Sequence, residues 1–261
     1  MHDADGLDDE TMLAFAVETK LSETCFVQTS TAPGADYRNR IFSMAGEMPF
    51  AGHPSLGTAV ARALRHGVSG AAAYVQQTGA GLQPIDVVIE GDVARASMLQ
   101  EPPEFGPALD PEPLLDAIGV ARSDAHPALA PQAISTGLRH VMLPLASAEA
   151  LARIDPNSRA VDAVLAAHES YGLYTFWCGG EPGTAEARLF ARGAQVGEDP
   201  ATGSAAGPLC AYLHRHAGRE AVTITQGVAL GRPSRLEAEM AGDRVRVAGA
   251  VVSVITGVLT L

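Results

Sequence analysis

The sequence predicts an α+β fold made of two similar halves, each a mixed sheet around one apolar helix, related by a pseudo-twofold axis. Three observations predict it. The stretches "RIFSMAGEMPFAGHPSLGTAVARAL" from Arg40 and "RLFARGAQVGEDPATGSAAGPLCAYL" from Arg188 share one order: Arg, an aliphatic residue, Phe, a turn of small residues with Pro and Gly, then a run rich in Ala and Leu. Downstream the spacing persists, with Gln77 facing Gln226, Pro84 facing Pro233 and Gly91 facing Gly242 at offsets of 149, 149 and 151, against 148 for the two arginines. Finally, "LGTAVARAL" and "SAAGPLCAYL" are apolar or small on nearly every face, which marks core helices.

In chain order, a first helix is expected from Asp8 to about Lys20, opened by acids that suit its N-terminal dipole. Cys25-Phe26-Val27 and Arg40-Ile41-Phe42 read as strands. After "PFAGHPSLGTA" a helix runs to about Arg65 and stops at His66-Gly67. "YVQQTGAGLQPIDVVIEGDVARASM" alternates polar and apolar residues between Gly-rich turns, as two or three antiparallel strands do, and "VTITQGVALGRPSRLEAEMAGDRVRVAG" repeats that order. The Pro-rich stretches "EPPEFGPALDPEP" and "DAHPALAPQAIS" place the crossing between halves near residues 125 to 135, giving 1–130 and 131–261.

Composition narrows the function. The chain has 261 residues, 47% hydrophobic and 18% charged, enough for a substantial core. With 30 acidic against 18 basic residues the formal charge is -12, so phosphate backbones and anionic lipid would be repelled and neither nucleic acid nor membrane is an expected partner. Cys25, Cys178 and Cys210 show no paired spacing, against a disulfide framework or structural zinc, and point to a reducing, cytoplasmic setting. The first thirty residues carry acids where a signal peptide has bases, so no targeting is expected.

The doubled turn is the candidate site. A buried helix start leaves N–H groups unpaired, which favours an anion, and small residues there (Gly52, Ser55 and Gly57; Ala201, Thr202, Gly203 and Ser204) let a ligand reach the backbone. Two such starts facing across a cleft would hold a small carboxylate. Alternatively the glycines only shape turns, Ser55 and Ser204 cap helices, and His53 and Asp199 are caps before Pro54 and Pro200. Proton carriers near the turns are Glu23, Glu47, His53, Glu198 and Asp199, of which Glu47 and Glu198 are as readily solvated as functional. Glu23 lies between Ser22 and Thr24, where partial burial would lift its pKa toward neutrality, or where it bonds to backbone instead.

"LSETCFV", "RIFSMAGEMPFAGHPSLGTA", "QQTGAGL", "GEDPATGSA" and "QG…GRPS" resemble, in family order, the signatures of the PhzF family, phenazine-biosynthesis-like proteins of the diaminopimelate epimerase-like fold. The resemblance implies two barrel-like domains with the active site between them, a small-molecule carboxylate substrate, cofactor-free isomerase or epimerase chemistry without metal, and a homodimer. It places the acid/base glutamate on Glu23, the histidine on His53, and the aspartate and serine on Asp199 and Ser204; beside these, Gly52, Ser55, Thr202 and Gly203 of the two helix starts and Ser22 next to Glu23 are expected about the substrate. Related racemases use two cysteines; Ala51 and Pro200 occupy those places here, so that chemistry is disfavoured and Cys25 and Cys210 read as small core residues.

Three departures stand out. Family members begin with a further strand and a "GNP" turn ahead of "DADGL", so an unpaired edge is expected in the first barrel. Lys20 replaces the usual Asn before "LSET" and is expected to lower the pKa of Glu23. Gly207-Pro208 falls within an early turn of the second helix, where a kink is expected. The competing function class is a catalytically silent ligand-binding or protein-interaction member of the same fold, for which an open strand edge would serve.

Overall fold

The structure is a computed structural model, and it describes residues 1–193 and 197–259. Two compact units emerge: residues 1–99 with 248–261, and residues 100–247. Segment 100–130, which the sequence reading groups with the first half, packs in the second unit because its apolar residues have their core there. Leu114, Leu115 and Ile118 are buried against Val141, Leu143 and Leu173.

In the first unit α1 (Asp9–Thr19) precedes β1 (Thr24–Gln28), β2 (Tyr37–Ser43), β3 (Gly46–Met48), α2 (Gly52–Arg65), β4 (Gly70–Thr78), β5 (Gly81–Glu90) and β6 (Val93–Leu99). The sheet runs β1-β2-β4-β5-β6, with β3 paired to β2. All pairs are antiparallel except β2 with β4, where Tyr37 faces Gln76. Parallel strands need a long connection, and α2 supplies it. Its inward residues Leu56, Ala59, Val60 and Ala63 pack on Ile85, Val87, Ala96 and Met98. The outer edge of β1, expected to be bare, receives residues 1–4: Val27 N–H donates to Met1 O and Ala4 N–H to Val27 O.

The second unit contains β7 (Glu104–Ala108), α3 (Pro111–Ala117), β8 (Gln132–Ser135), β9 (Arg139–Pro144), α4 (Ala148–Ala152), α5 (Ser158–Ala167), β10 (Gly172–Trp177), β11 (Thr184–Ala191), β12 (Glu198–Asp199), α6 (Gly203–Ala217), β13 (Ala221–Gln226), β14 (Ser234–Ala241) and β15 (Arg244–Val251). The last strand reaches into the first unit's residues at 248. Strand order is β15-β14-β13-β11-β10-β9-β8-β7, with β12 on β11. Here β11 and β13 are the parallel pair that a helix bridges, so β11-β12-α6-β13 repeats β2-β3-α2-β4.

Residues Ala205–Leu213 of α6 are all buried, as a helix apolar on every side requires. Helix α6 continues through Pro208 to Ala217. Gly207 makes room for a side chain. A Cβ there would lie 1.8 Å from Gln100 Oε1, because Gln100 crosses the helix, donates to Gly203 O (2.9 Å) and accepts the hydroxyl of Thr136 (2.5 Å).

Candidate functional site

The repeated Arg explains itself first. On β2 Phe42 faces Glu47, and Arg40, two residues back, forks onto that glutamate at 2.8 and 2.5 Å. On β11 Phe190 faces Glu198, and Arg188 forks onto it at 2.9 and 2.7 Å. Each guanidinium lies 5.2 Å from the centre of its phenylalanine ring. Glu47 and Glu198 are thus held in bidentate pairs that fix the hairpins leading into α2 and α6.

Behind the forks lie the helix starts. Helices α1, α3, α4 and α5 accept their first N–H groups on Asp8, Asp110, Ser147 and Asn157. Neither α2 nor α6 has a side-chain cap, and neither has an acid in its first turn. Among the described residues no acceptor meets the N–H of Gly52, Gly203 or Ser204, so the partial positive charge of each start is unsatisfied by protein.

In the first unit Glu23 stands just before β1 and His53 in the first turn of α2. Their Oε2 and Nε2 approach to 3.0 Å, with Glu23 17% and His53 51% exposed. The distance suits an ion pair, although the ring N–H is not aligned on Oε2, an oxygen sealed from solvent. Burial pushes the Glu23 carboxyl up, but the His53 contact and charge and a hydrogen bond from Ser22 outweigh it and hold it below its ordinary range. That reverses the expected upward shift. The lowering comes from His53 and Ser22; Lys20 caps α1 in a left-handed conformation and is not among its causes.

Ser55 faces inward. Its hydroxyl donates to Ala51 O and accepts from Gln76 Nε2, both at 2.7 Å, while Asn39 Nδ2 holds Gln76 Oε1 at 3.0 Å. It therefore shapes the helix start from the core side. Cys25 Sγ lies 3.7 Å from Pro54 O, and burial pushes its thiol up to about 11, while Cys210 is pushed up to about 12. Both stay thiols at neutral pH, as small core residues do.

In the second unit Asp199 pairs with Leu189 through β12. Its carboxylate accepts the Thr202 hydroxyl, and its carbonyl accepts Gln226 Nε2 at 2.7 Å. Gln226 Oε1 accepts the Tyr174 hydroxyl (2.9 Å) and Thr202 N–H (3.3 Å). Thr202 thus clamps Asp199 from the inside, its hydroxyl donating to Asp199 and accepting from Gln226. Ser204 Oγ meets His140 Nε2 at 3.1 Å, and Gly203 takes Gln100 on its carbonyl.

The structure therefore joins Ser22, Glu23, His53 and Gly52 in one unit, and Asp199, Thr202, Gly203 and Ser204 in the other. Sequence reasoning missed Gln76, Gln226, Gln100 and His140. Only the two glutamines "QQ" and "TQG" left a trace, through their place in the repeat. A separate cavity of about 630 Å³ beside Tyr171, Arg192 and Glu169 contains none of the expected site residues.

Comparison with known proteins identifies the fold. The chain is 37% identical over 252 residues to trans-2,3-dihydro-3-hydroxyanthranilate isomerase of Pseudomonas aeruginosa, covering 93% of this chain and 84% of that one. It is 32% identical to an uncharacterised isomerase of Clostridium acetobutylicum, covering 99% and 90%. The crystal structure of a PhzF-family phenazine biosynthesis protein from Bacillus anthracis superposes with a TM-score of 0.87 at 26% identity, covering 99% and 91%. A probable proline racemase from Agrobacterium radiobacter, at 10% identity and a TM-score of 0.65 over 97% and 82%, shares the fold alone. The model of the phenazine biosynthesis-like protein family PhzC-PhzF matches residues 1–257, and with relatives named as isomerases the chain belongs to that family and is an isomerase of its kind.

Proposed function

We propose that the protein moves a proton, without a cofactor, on a small carboxylated metabolite that is amino-acid-like or cyclic. Glu23 is the acid/base, His53 its proton partner, and Asp199 and Ser204 orient the substrate. In this proposal the backbone amides of Gly52, Gly203 and Ser204 hold the carboxylate. The substrate class follows the named relative, which isomerises a ring bearing a carboxylate.

The observation that carries this reading is the close approach of buried Glu23 Oε2 to His53 Nε2. Glu23, held ionised by His53, takes the proton from a substrate carbon and becomes neutral. The electron pair left behind spreads into the adjoining π system, and the same proton returns to another carbon. Asp199, clamped by Thr202 and Gln226, holds its carboxylate in a fixed direction. A cytoplasmic homodimer is part of this proposal.

The test is isotope exchange, with trans-2,3-dihydro-3-hydroxyanthranilate as probe in heavy water. The native protein is expected to incorporate deuterium at carbon, and Glu23→Gln to lower the rate by about 10²–10⁴-fold. Equal incorporation by both proteins would remove Glu23 from the mechanism. The lowered pKa of Glu23 favours one second reading, a ligand-binding member without turnover, since a carboxylate held down is a weaker base. Saturable binding of the probe with no exchange at any pH would establish it.

A further inference from the structure

His140, on β9, is wholly buried, and nothing in the family signatures or the sequence reading marks it. Its ring stands edge-on to Tyr171. Nε2 lies 3.1 Å from the hydroxyl of Ser204 at the start of α6, and that is the hydroxyl's one hydrogen bond among the described residues. Nδ1 is buried without any hydrogen bond and abuts Gly172, where an added Cβ would come within 3.1 Å of it. Burial depresses the ring to about 3, so it is neutral and carries one proton at physiological pH.

That proton has two places to sit. On Nδ1 it would make a buried N–H with no acceptor, the rarer and costlier defect. On Nε2 it meets Ser204, and the bare Nδ1 is merely an unused acceptor. With Nε2–H donating, the oxygen of Ser204 is occupied as an acceptor from the core side, and its own hydrogen is free to turn outward.

The geometry points to His140 as a positioning residue that holds the Nε2–H tautomer, donates to Ser204 Oγ, and thereby makes Ser204 a directed donor toward an oxygen of the ligand. This rests on the reading above that Ser204 faces substrate. It adds a direction to that contact: the Ser204 hydrogen is left to the ligand side. The ligand atom that hydrogen meets is accordingly an acceptor, a carboxylate or carbonyl oxygen.

Long-range nitrogen-15 correlation spectra of the native full-length protein test the tautomer directly. The expected pattern for His140 is a protonated Nε2 and a bare Nδ1 at neutral pH. A protonated Nδ1, or an imidazolium, would overturn the assignment whether or not the protein is an isomerase. The functional arm uses His140→Leu, which removes the donor, and His140→Gln, which restores an N–H near the Nε2 position. With the deuterium probe above, His140→Leu is expected to lower kcat about tenfold with KM changed less than about twofold, and His140→Gln to recover most of it. Unchanged kcat in a folded His140→Leu protein would sink the role. If the leucine variant does not fold, His140→Gln and the native spectra still decide. A native protein that shows the expected tautomer and no exchange would refute the isomerase chemistry while leaving the Ser204 contact standing, so the two failures are distinct.

Discussion

Arg40 and Arg188 stand at the same place in the two repeats, each forked onto a glutamate across a hairpin and laid over the phenylalanine two residues on. Their surroundings differ. Glu47 is 38% exposed, and Arg40 spends its third nitrogen on Asp9, itself 80% exposed. Glu198 is 9% exposed, and Arg188 Nη1 reaches the carbonyls of Leu151 and Ile154 at 3.1 and 3.2 Å. One geometry thus serves as a wet brace in the first unit and a dry one in the second, and only the dry one ties the hairpin to the backbone around α4. What the repeat preserves is scaffolding. The residues proposed for the chemistry differ between the halves: Glu23 and His53 in the first unit, Asp199, Ser204 and His140 in the second.

The largest expected difference comes from cutting both braces. Arg188→Met strands a buried carboxylate and should cost about 3–5 kcal/mol in urea unfolding, whereas Arg40→Met leaves a glutamate that water can reach and should cost about 1 kcal/mol. Equal losses would mean that burial does not separate the two. Next come the glycines that let each hairpin turn press on the loop before its helix. At Gly227, with φ +83°, a Cβ would lie 2.4 Å from Arg232 O and 2.7 Å from Pro200 O, while at Gly79 the nearest atom is Pro49 Cα at 3.0 Å. Gly227→Ala is expected to cost about 3 kcal/mol and Gly79→Ala about 1 kcal/mol, read from denaturation midpoints. A reversed order would show that the loop before α6 is the softer one.

Acid titration separates the halves more finely. His140 is lowered from 6.5 to about 3, so below 6.5 the unfolded chain takes up a proton that the folded one refuses. Stability should therefore fall by about 1.4 kcal/mol per pH unit between those values from this group, a slope that His140→Gln removes. Glu23 is also depressed, but from 4.5. Its contribution is present above that value and is lost as the pH falls through its lower folded value, so Glu23→Gln should lower stability at all pH above 4.5 and remove that acid-end slope. Unchanged stability at pH 6 in Glu23→Gln would contradict the pairing with His53.

The repeat, the two core helices and the hairpins were legible because each leaves a periodic or punctuated trace: alternation in "DVVIE", Gly-Asp turns, small residues before "LGTAVARAL" and "SAAGPLCAYL". Glu23, His53, Asp199 and Ser204 were candidates by their place at the doubled turn, and only the family's motifs separated them from Glu47 and Glu198. His140 was invisible in "RHVMLP", since one polar residue in a buried strand has no local signature and acquires its meaning from a serine 64 positions away. The same holds for Gln100, buried beside α6. The sign of the Glu23 shift was misjudged because burial can be guessed from neighbours in sequence, while the compensating contact with His53 is thirty residues distant and tertiary. The placement of segment 100–130 escaped for a related reason: Pro-rich punctuation marks where a chain turns, not which core its leucines enter.

The Gln100 side chain threaded over Gly207 ties together three stretches that no local rule connects. Enlarging position 207 alone would evict the amide from both Gly203 and Thr136, and shortening position 100 alone would open a gap. Drift at this corner must then proceed in pairs: Gly207→Ala and Gln100→Ala should each be harmful and together less so than their sum, leaving a coupled signature in the variation of related sequences.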